Sequence, residues 1–195
     1  MAIAATPTGA EPVDTLSASG SFTGKIRHIK IANAYNTAIF YGDFVKLVAA
    51  GTVEKAAVTT SVAAGTVGIF VGCAYTDPST NQMTFNQQFP ASTASDDIVA
   101  YVVDDPKLLF RMQGDEAIAQ TGLGNNISAV NTAGSTSIGR SKNALDGGSI
   151  ATTNTLPLRV VDFVDGPTSA VGDAFTDCIV TYLPLSHAYE TKLGV

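Results

Sequence analysis

The sequence predicts an all-β protein: an antiparallel β-barrel or β-sandwich, jelly-roll-like or related, with an extended N-terminal arm. Three observations predict it. Apolar runs of strand length recur at intervals of roughly 8–12 residues. Gly, Asp and Pro stand between them, as at Gly42–Asp43, Ala50–Gly51, Asp104–Asp105–Pro106 and Asp165–Gly166–Pro167. No heptad, no sustained 3.6-residue period and no longer repeat runs through the chain. A chain of 195 residues fits one large domain with appended arms.

Residues 1–24 are rich in Ala, Thr, Ser, Gly and Pro, with Ile3, Leu16 and Phe22 as the large apolar side chains. Such a stretch buries too little surface to fold alone and reads as an extended arm. A single β-domain is expected over 25–185. Its strands are predicted around Lys25–Ala32, Ile39–Tyr41, Phe44–Val48, Thr52–Ala56, Val67–Val71 and Met83–Phe85, and then at Ile98–Val103 and Leu108–Gln113. The run Ile98–Val103 stops at Pro106, which has no ladder donor. Residues 114–155 are dominated by Gly, Asn, Ser and Thr. Forty residues of pure loop would be unusual in a compact domain. Short strands or a helical turn near Ala117–Gln120 are expected there, with the rest a surface excursion. Leu156–Val164 and Ala174–Leu183 return to strand, and residues 186–195 form a C-terminal tail, a short helix or a terminal arm.

Charged residues make up 14% of the chain, against roughly 25% in ordinary soluble domains. Either the surface is polar without charge, or much of it is covered by partners, since interface cores are depleted of charge. The net charge of −6 and the scattering of the 11 basic residues argue against nucleic acid, whose phosphates require Lys/Arg clusters. The densest basic group, Lys25, Arg27 and Lys30, would mostly line the solvent face of one strand. Nothing approaches an 18-residue apolar span, and the first residues lack a basic region followed by an apolar one, so no membrane partner and synthesis in a cytoplasm are expected. Cys73 and Cys178 lie far apart in apolar surroundings and read as buried small side chains rather than a disulfide framework or metal ligands.

Catalytic and ligand motifs fail on spacing or context. Gly134–Ser141 has phosphate-loop spacing with Arg140 where a lysine belongs, but no apolar strand precedes it and no helix follows. Asp96–Asp97, Asp104–Asp105 and Asp115–Glu116 are neighbours, and neighbours in a strand face opposite ways. A loop acid cluster is the place for calcium if any binds, but no EF-hand spacing exists. His28 and His187, the two histidines, read as ordinary polar or partly buried side chains. Asn126–Ile127–Ser128 fits a glycosylation sequon, which matters only on a secretory route. No catalytic residue, cofactor, metal or small-molecule substrate is expected, and the chain is expected not to be an enzyme.

Several segments together carry a resemblance. They are Tyr41–Val48, Gly51–Ala56, Val67–Tyr75, Ala100–Pro106, Leu158–Pro167 and Gly172–Val180. Over residues 25–183 the chain resembles the decoration, or cement, proteins that accompany the major capsid protein of tailed bacteriophages. The resemblance implies a barrel or sandwich on the outside of an assembled capsid, bridging neighbouring major capsid proteins, often as a homotrimer, and located on the virion. An arm ordered on binding would suit that task. The interface candidates are Leu16, Phe22, Lys25, Arg27, Phe85 and Phe89; Phe85 and Phe89, which flank a polar stretch, could equally be core. Two alternatives stand beside this reading: a head-fibre, neck or tail component, and a small-ligand or carbohydrate-binding β-domain using the 114–155 loops.

Overall fold

In the computed structural model, which describes residues 4–17, 24–59, 66–184 and 186–190, twelve strands form two antiparallel sheets of six. The first sheet runs β1 (Glu11–Thr15), β8 (Leu108–Gln113), β12 (Asp177–Tyr182), β11 (Leu158–Phe163), β9 (Asn126–Val130), β10 (Ala144–Ala151). The second runs β2 (Arg27–Lys30), β7 (Val99–Val103), β5 (Thr66–Thr76), β3 (Phe44–Leu47), β4 (Val53–Lys55), and β6 (Met83–Asn86) adds to the far half of β5. Each sheet curls toward closure. A bridge from Gly114 to Leu145 draws β10 toward the end of β8, and one from Ile31 to Val53 draws the end of β2 to β4.

Two apolar clusters hold the sheets. One lies between them and inside the first, joining Phe44, Ile69 and Val103 to Leu108, Phe110, Met112, Leu158, Val180 and Tyr182. The other lies on the opposite side of the second sheet, with Val45, Phe70, Phe89, Ile98 and Val102. Neighbouring residues divide between them: Phe44 and Val45, Ile69 and Phe70, Val102 and Val103. Strands buried on both faces read as continuous apolar runs rather than alternation, which is why Val67–Val71 and Ile98–Val103 stand out in the sequence.

The expected arm meets a different arrangement over its described part. Residues 11–15 pair with β8 as the edge of the first sheet. Ala10 is fully buried and donates its N–H to the Gly42 carbonyl at 2.9 Å, while the Thr6 amide reaches Gln113 Oε1 at 2.8 Å. Gly9 makes this seat possible: its φ is +78°, and a Cβ there would lie 2.6 Å from both the Gly42 oxygen and the Ser141 Cβ. Small residues thus let the segment press into the fold instead of leaving it. Gly9→Ala is expected to destabilise the protein by about 1–3 kcal/mol, read by urea unfolding.

The 114–155 stretch has the short strands and helical turn expected of it, and more of it is built into the fold than a surface excursion would be. It contributes a short 3-10 turn at Gln120–Gly122 and the strands β9 and β10, and buries Ile118, Ile127 and Leu145 completely. Its polar residues serve the interior. Asn126 donates to the Thr153 carbonyl and accepts from Arg159 Nε, and the Ser128 amide donates to Ser149 Oγ.

The described part of the tail, residues 186–190, packs against the second sheet. The Ala188 N–H donates to the Thr66 carbonyl at 2.6 Å, and His187 is fully buried between the rings of Tyr182 and Tyr189. His187 Nδ1 accepts the Tyr189 N–H, which places the proton of the neutral ring on Nε2. Burial lowers the His187 pKa below its ordinary 6.5, against smaller opposing effects of a hydrogen bond to the Val67 backbone and of the charges on Glu190, Asp104 and Asp105. A depressed histidine contributes stability that is present above its unfolded pKa and is lost as pH falls toward the folded one. The urea midpoint should therefore fall between about pH 7 and pH 5, and fall less in His187→Phe.

Candidate protein-binding face

The apolar side chains left in solvent gather partly around the N-terminal segment. Val13, Leu16 and Ile26 are each close to half exposed. Ile26 lines an open cleft of about 320 Å³ together with Pro12, Gly24, Tyr41, Val71 and Val103. Local rules explain the placement. The register of β1 against β8 slips between Pro12 and Asp14, so Val13 is an extra residue without a cross-strand partner. Pro12 and this bulge also close the outer edge of β1 to further pairing.

Of the residues singled out from the sequence, Leu16 lies at the end of β1 with its N–H on the Lys107 carbonyl. Lys25 is exposed on the approach to β2. Arg27 is half committed: its guanidinium pairs with Asp104 at 2.5 Å and lies 5.3 Å from the Tyr189 ring centre, and Tyr189 donates its hydroxyl proton to the same carboxylate at 3.0 Å. Phe22 falls outside the described residues. Phe85 is 73% exposed on β6, opposite Ala74 of β5, and does not line the cleft. Phe89 must be corrected: it is completely buried in the second cluster, stacked 6.2 Å from Tyr35 and bridged to Ile39. Its neighbours are polar, but the chain turns inward there to pair with Ile39, which the sequence alone does not reveal.

The Gly134–Ser141 loop is a tight backbone turn. The amides of Ser135, Gly139 and Ser141 donate to the carbonyls of Arg140, Ser135 and Tyr41, so they are not free to cradle a phosphate. Arg140 is directed to Glu11 at 2.5 Å and over the Tyr41 ring. The loop pins the N-terminal segment.

Asp104 and Asp105 diverge as expected for a strand end, whereas the neighbours Asp115 and Glu116 converge on Asp146. Asp104 turns inward to Arg27 and Tyr189, whereas Asp105 takes the Lys107 amide and the Thr15 hydroxyl. Asp115, Glu116 and Asp146 bring carboxylate oxygens within 4.8 Å of one another, and among the described residues they are the group that could hold a cation. Two of the three carboxylates are already engaged, Asp115 by the Gly147 amide and Asp146 by the Ser128 hydroxyl.

The sequence missed Asp43, which looks like a turn residue. It is fully buried and accepts the Phe40 amide at 2.9 Å, the Ser141 hydroxyl at 2.6 Å and the Asn143 amide group at 3.2 Å, and it pairs with Lys55 Nζ at 2.8 Å. These partners tie β3 and β4 to the loop before β10. Cys73 and Cys178 are buried free thiols pushed up to about 12 by desolvation. Both should resist alkylation at pH 8 in the native protein and react once urea unfolds it.

No family model matches the chain, and no curated protein or solved structure matches it either.

Proposed function

We propose that this chain is a structural virion protein that binds the outside of an assembled phage capsid and bridges neighbouring major capsid proteins. The resemblance over residues 25–183 motivates the reading, and one structural observation supports it most. Val13 and Leu16 are half exposed on a segment held in the fold by β1 and Ala10, and the half-exposed Ile26 lines an open cleft with Pro12 of that segment. An apolar surface around an open cleft is the usual mark of a protein-binding site. Here it sits beside the exposed cations Lys25 and Lys30, which would steer a protein of net charge −6 toward an acidic shell patch.

The mechanism is mass action. A subunit that binds two neighbouring shell proteins only when they are assembled stabilises the assembled state, and many copies multiply the effect. Because Gly9, Ala10 and Glu11 fix the segment, little ordering entropy is lost on docking.

The test is co-sedimentation of purified protein with mature, expanded capsids of the phage encoding it. Leu16→Asp and Ile26→Asp are expected to weaken binding at least about tenfold. They should move the unfolding midpoint little, since exposed substitutions stay within about 0.5 kcal/mol. Binding unaffected by both changes would remove the cleft from the account, and no binding at all would remove the function.

A further inference from the structure

The outer edges of the two sheets are not alike. β1 carries Pro12 and a bulge, and β10 carries Asp146 and a break in register. β2 carries Arg27 and Lys30, and β4 carries Glu54 and Lys55. Proline, bulges and charges are the ordinary devices that stop an edge strand from pairing with another chain. β6 has none of them: from Ser79 to Phe89 there is no charged residue and no proline, and β6 pairs regularly with β5.

The pairing also fixes what β6 presents. Asp77 and Gln82 close the hairpin with an N–H to carbonyl bond of 2.9 Å. Counting from it, Thr84 and Asn86 bond toward their partners Tyr75 and Cys73. The N–H and carbonyl of Met83 and Phe85 therefore point away from β5, and among the described residues they meet no partner. Their side chains share the outer face, 57% and 73% exposed. Asp77 holds the turn by accepting the Ser79 amide at 2.7 Å, so the edge is ordered.

We infer that β6 is a self-association edge, on which a second copy of this chain adds its own β6 antiparallel about a two-fold axis through Thr84. The strand is complementary to itself in that register. Met83 faces Phe85 of the second copy and Phe85 faces its Met83, each pair exchanging both backbone hydrogen bonds and making a sulfur–aromatic contact. Gln82 faces Asn86, amide to amide, and each offers a donor and an acceptor. No carboxylate lies in the paired stretch, so two copies that each carry net charge −6 meet where neither is charged. An isologous contact of this kind closes at the dimer and does not propagate. It does not depend on the capsid reading.

A contact of one short strand per copy buries less than the roughly 1,200 Å² of a standard interface. Association is therefore weak and concentration-dependent. Sedimentation equilibrium from micromolar to millimolar protein should fit a monomer–dimer equilibrium. Met83→Lys/Phe85→Lys places like charges directly opposite in each pair and is expected to weaken the dimer at least about tenfold. Both side chains are exposed, so the variant should keep its fold. Thr84→Cys should form a disulfide-linked dimer under mild oxidation because the axis brings the two positions together, whereas Gln82→Cys should not. A monomer at every concentration would overturn the inference. So would a larger oligomer insensitive to the lysines, or a Thr84→Cys chain that stays reduced. Loss of capsid binding in the lysine variant without any self-association would assign the edge to a strand of the shell protein instead.

Discussion

Asp43→Ala is expected to destabilise the protein by about 3–5 kcal/mol, the largest effect of any polar substitution in the fold. The carboxylate is fully buried and satisfies a backbone amide, a hydroxyl, a side-chain amide and an ammonium. Removing it leaves those groups facing an apolar methyl. Lys55, whose side chain is 12% exposed, would then keep its charge without a counter-ion. The cost therefore comes from stranded partners more than from lost attraction. Asp43→Asn/Lys55→Met tests that division, because it removes both charges while keeping most of the volume. It should recover a large part of the loss in urea unfolding. If the double variant is as unstable as Asp43→Ala, hydrogen-bond geometry rather than the uncompensated charge sets the cost.

Phe44→Ala is expected to cost about 3–5 kcal/mol by a different route. Phe44 belongs to the second sheet, yet its ring meets Phe110 at 5.6 Å and Tyr182 at 6.1 Å, both from the first and both edge-on. Phe110 and Tyr182 also meet each other at 5.2 Å. Truncation opens a cavity at the junction of the sheets and removes two aromatic contacts. Phe44→Leu keeps most of the volume and should cost less than half as much. Because the triad joins the sheets, both should unfold in one transition in the native protein. A Phe44→Ala chain that unfolds in two steps by tyrosine fluorescence and circular dichroism would show that the ring cluster is what couples them.

Sequence patterning located strands of both kinds, the doubly buried β5 and β7 and the largely exposed β2 and β6. β5, β7 and β8 are apolar enough to announce themselves, and β11 and β12 are bounded by Pro, Gly and Asp. β10 is hidden because Asp146, Gly147 and Gly148 interrupt its apolar character, with the exposed Glu116 side chain lying over the glycines. Asp43 was hidden for another reason. Its partners Ser141 and Asn143 lie 98 and 100 residues away, and no local spacing encodes such a meeting. Among the interface candidates, Leu16 and Phe85 were legible as apolar residues in polar surroundings. Phe89 had the same signature and is core, because exposure depends on which way the chain turns after β6. Residues 1–24 read as too small-sided to fold alone, yet in their described part Gly9 and Ala10 are small because the segment lies against Gly42 and Ser141.

The most direct test of the central claim is co-sedimentation of the native protein and Leu16→Asp/Ile26→Asp with mature, expanded capsids and with unexpanded shells. The native protein is expected to pellet in proportion to the expanded capsids and to saturate, while the double variant, equally stable to urea, stays in the supernatant. A native protein that remains soluble in the presence of both kinds of shell would contradict the account.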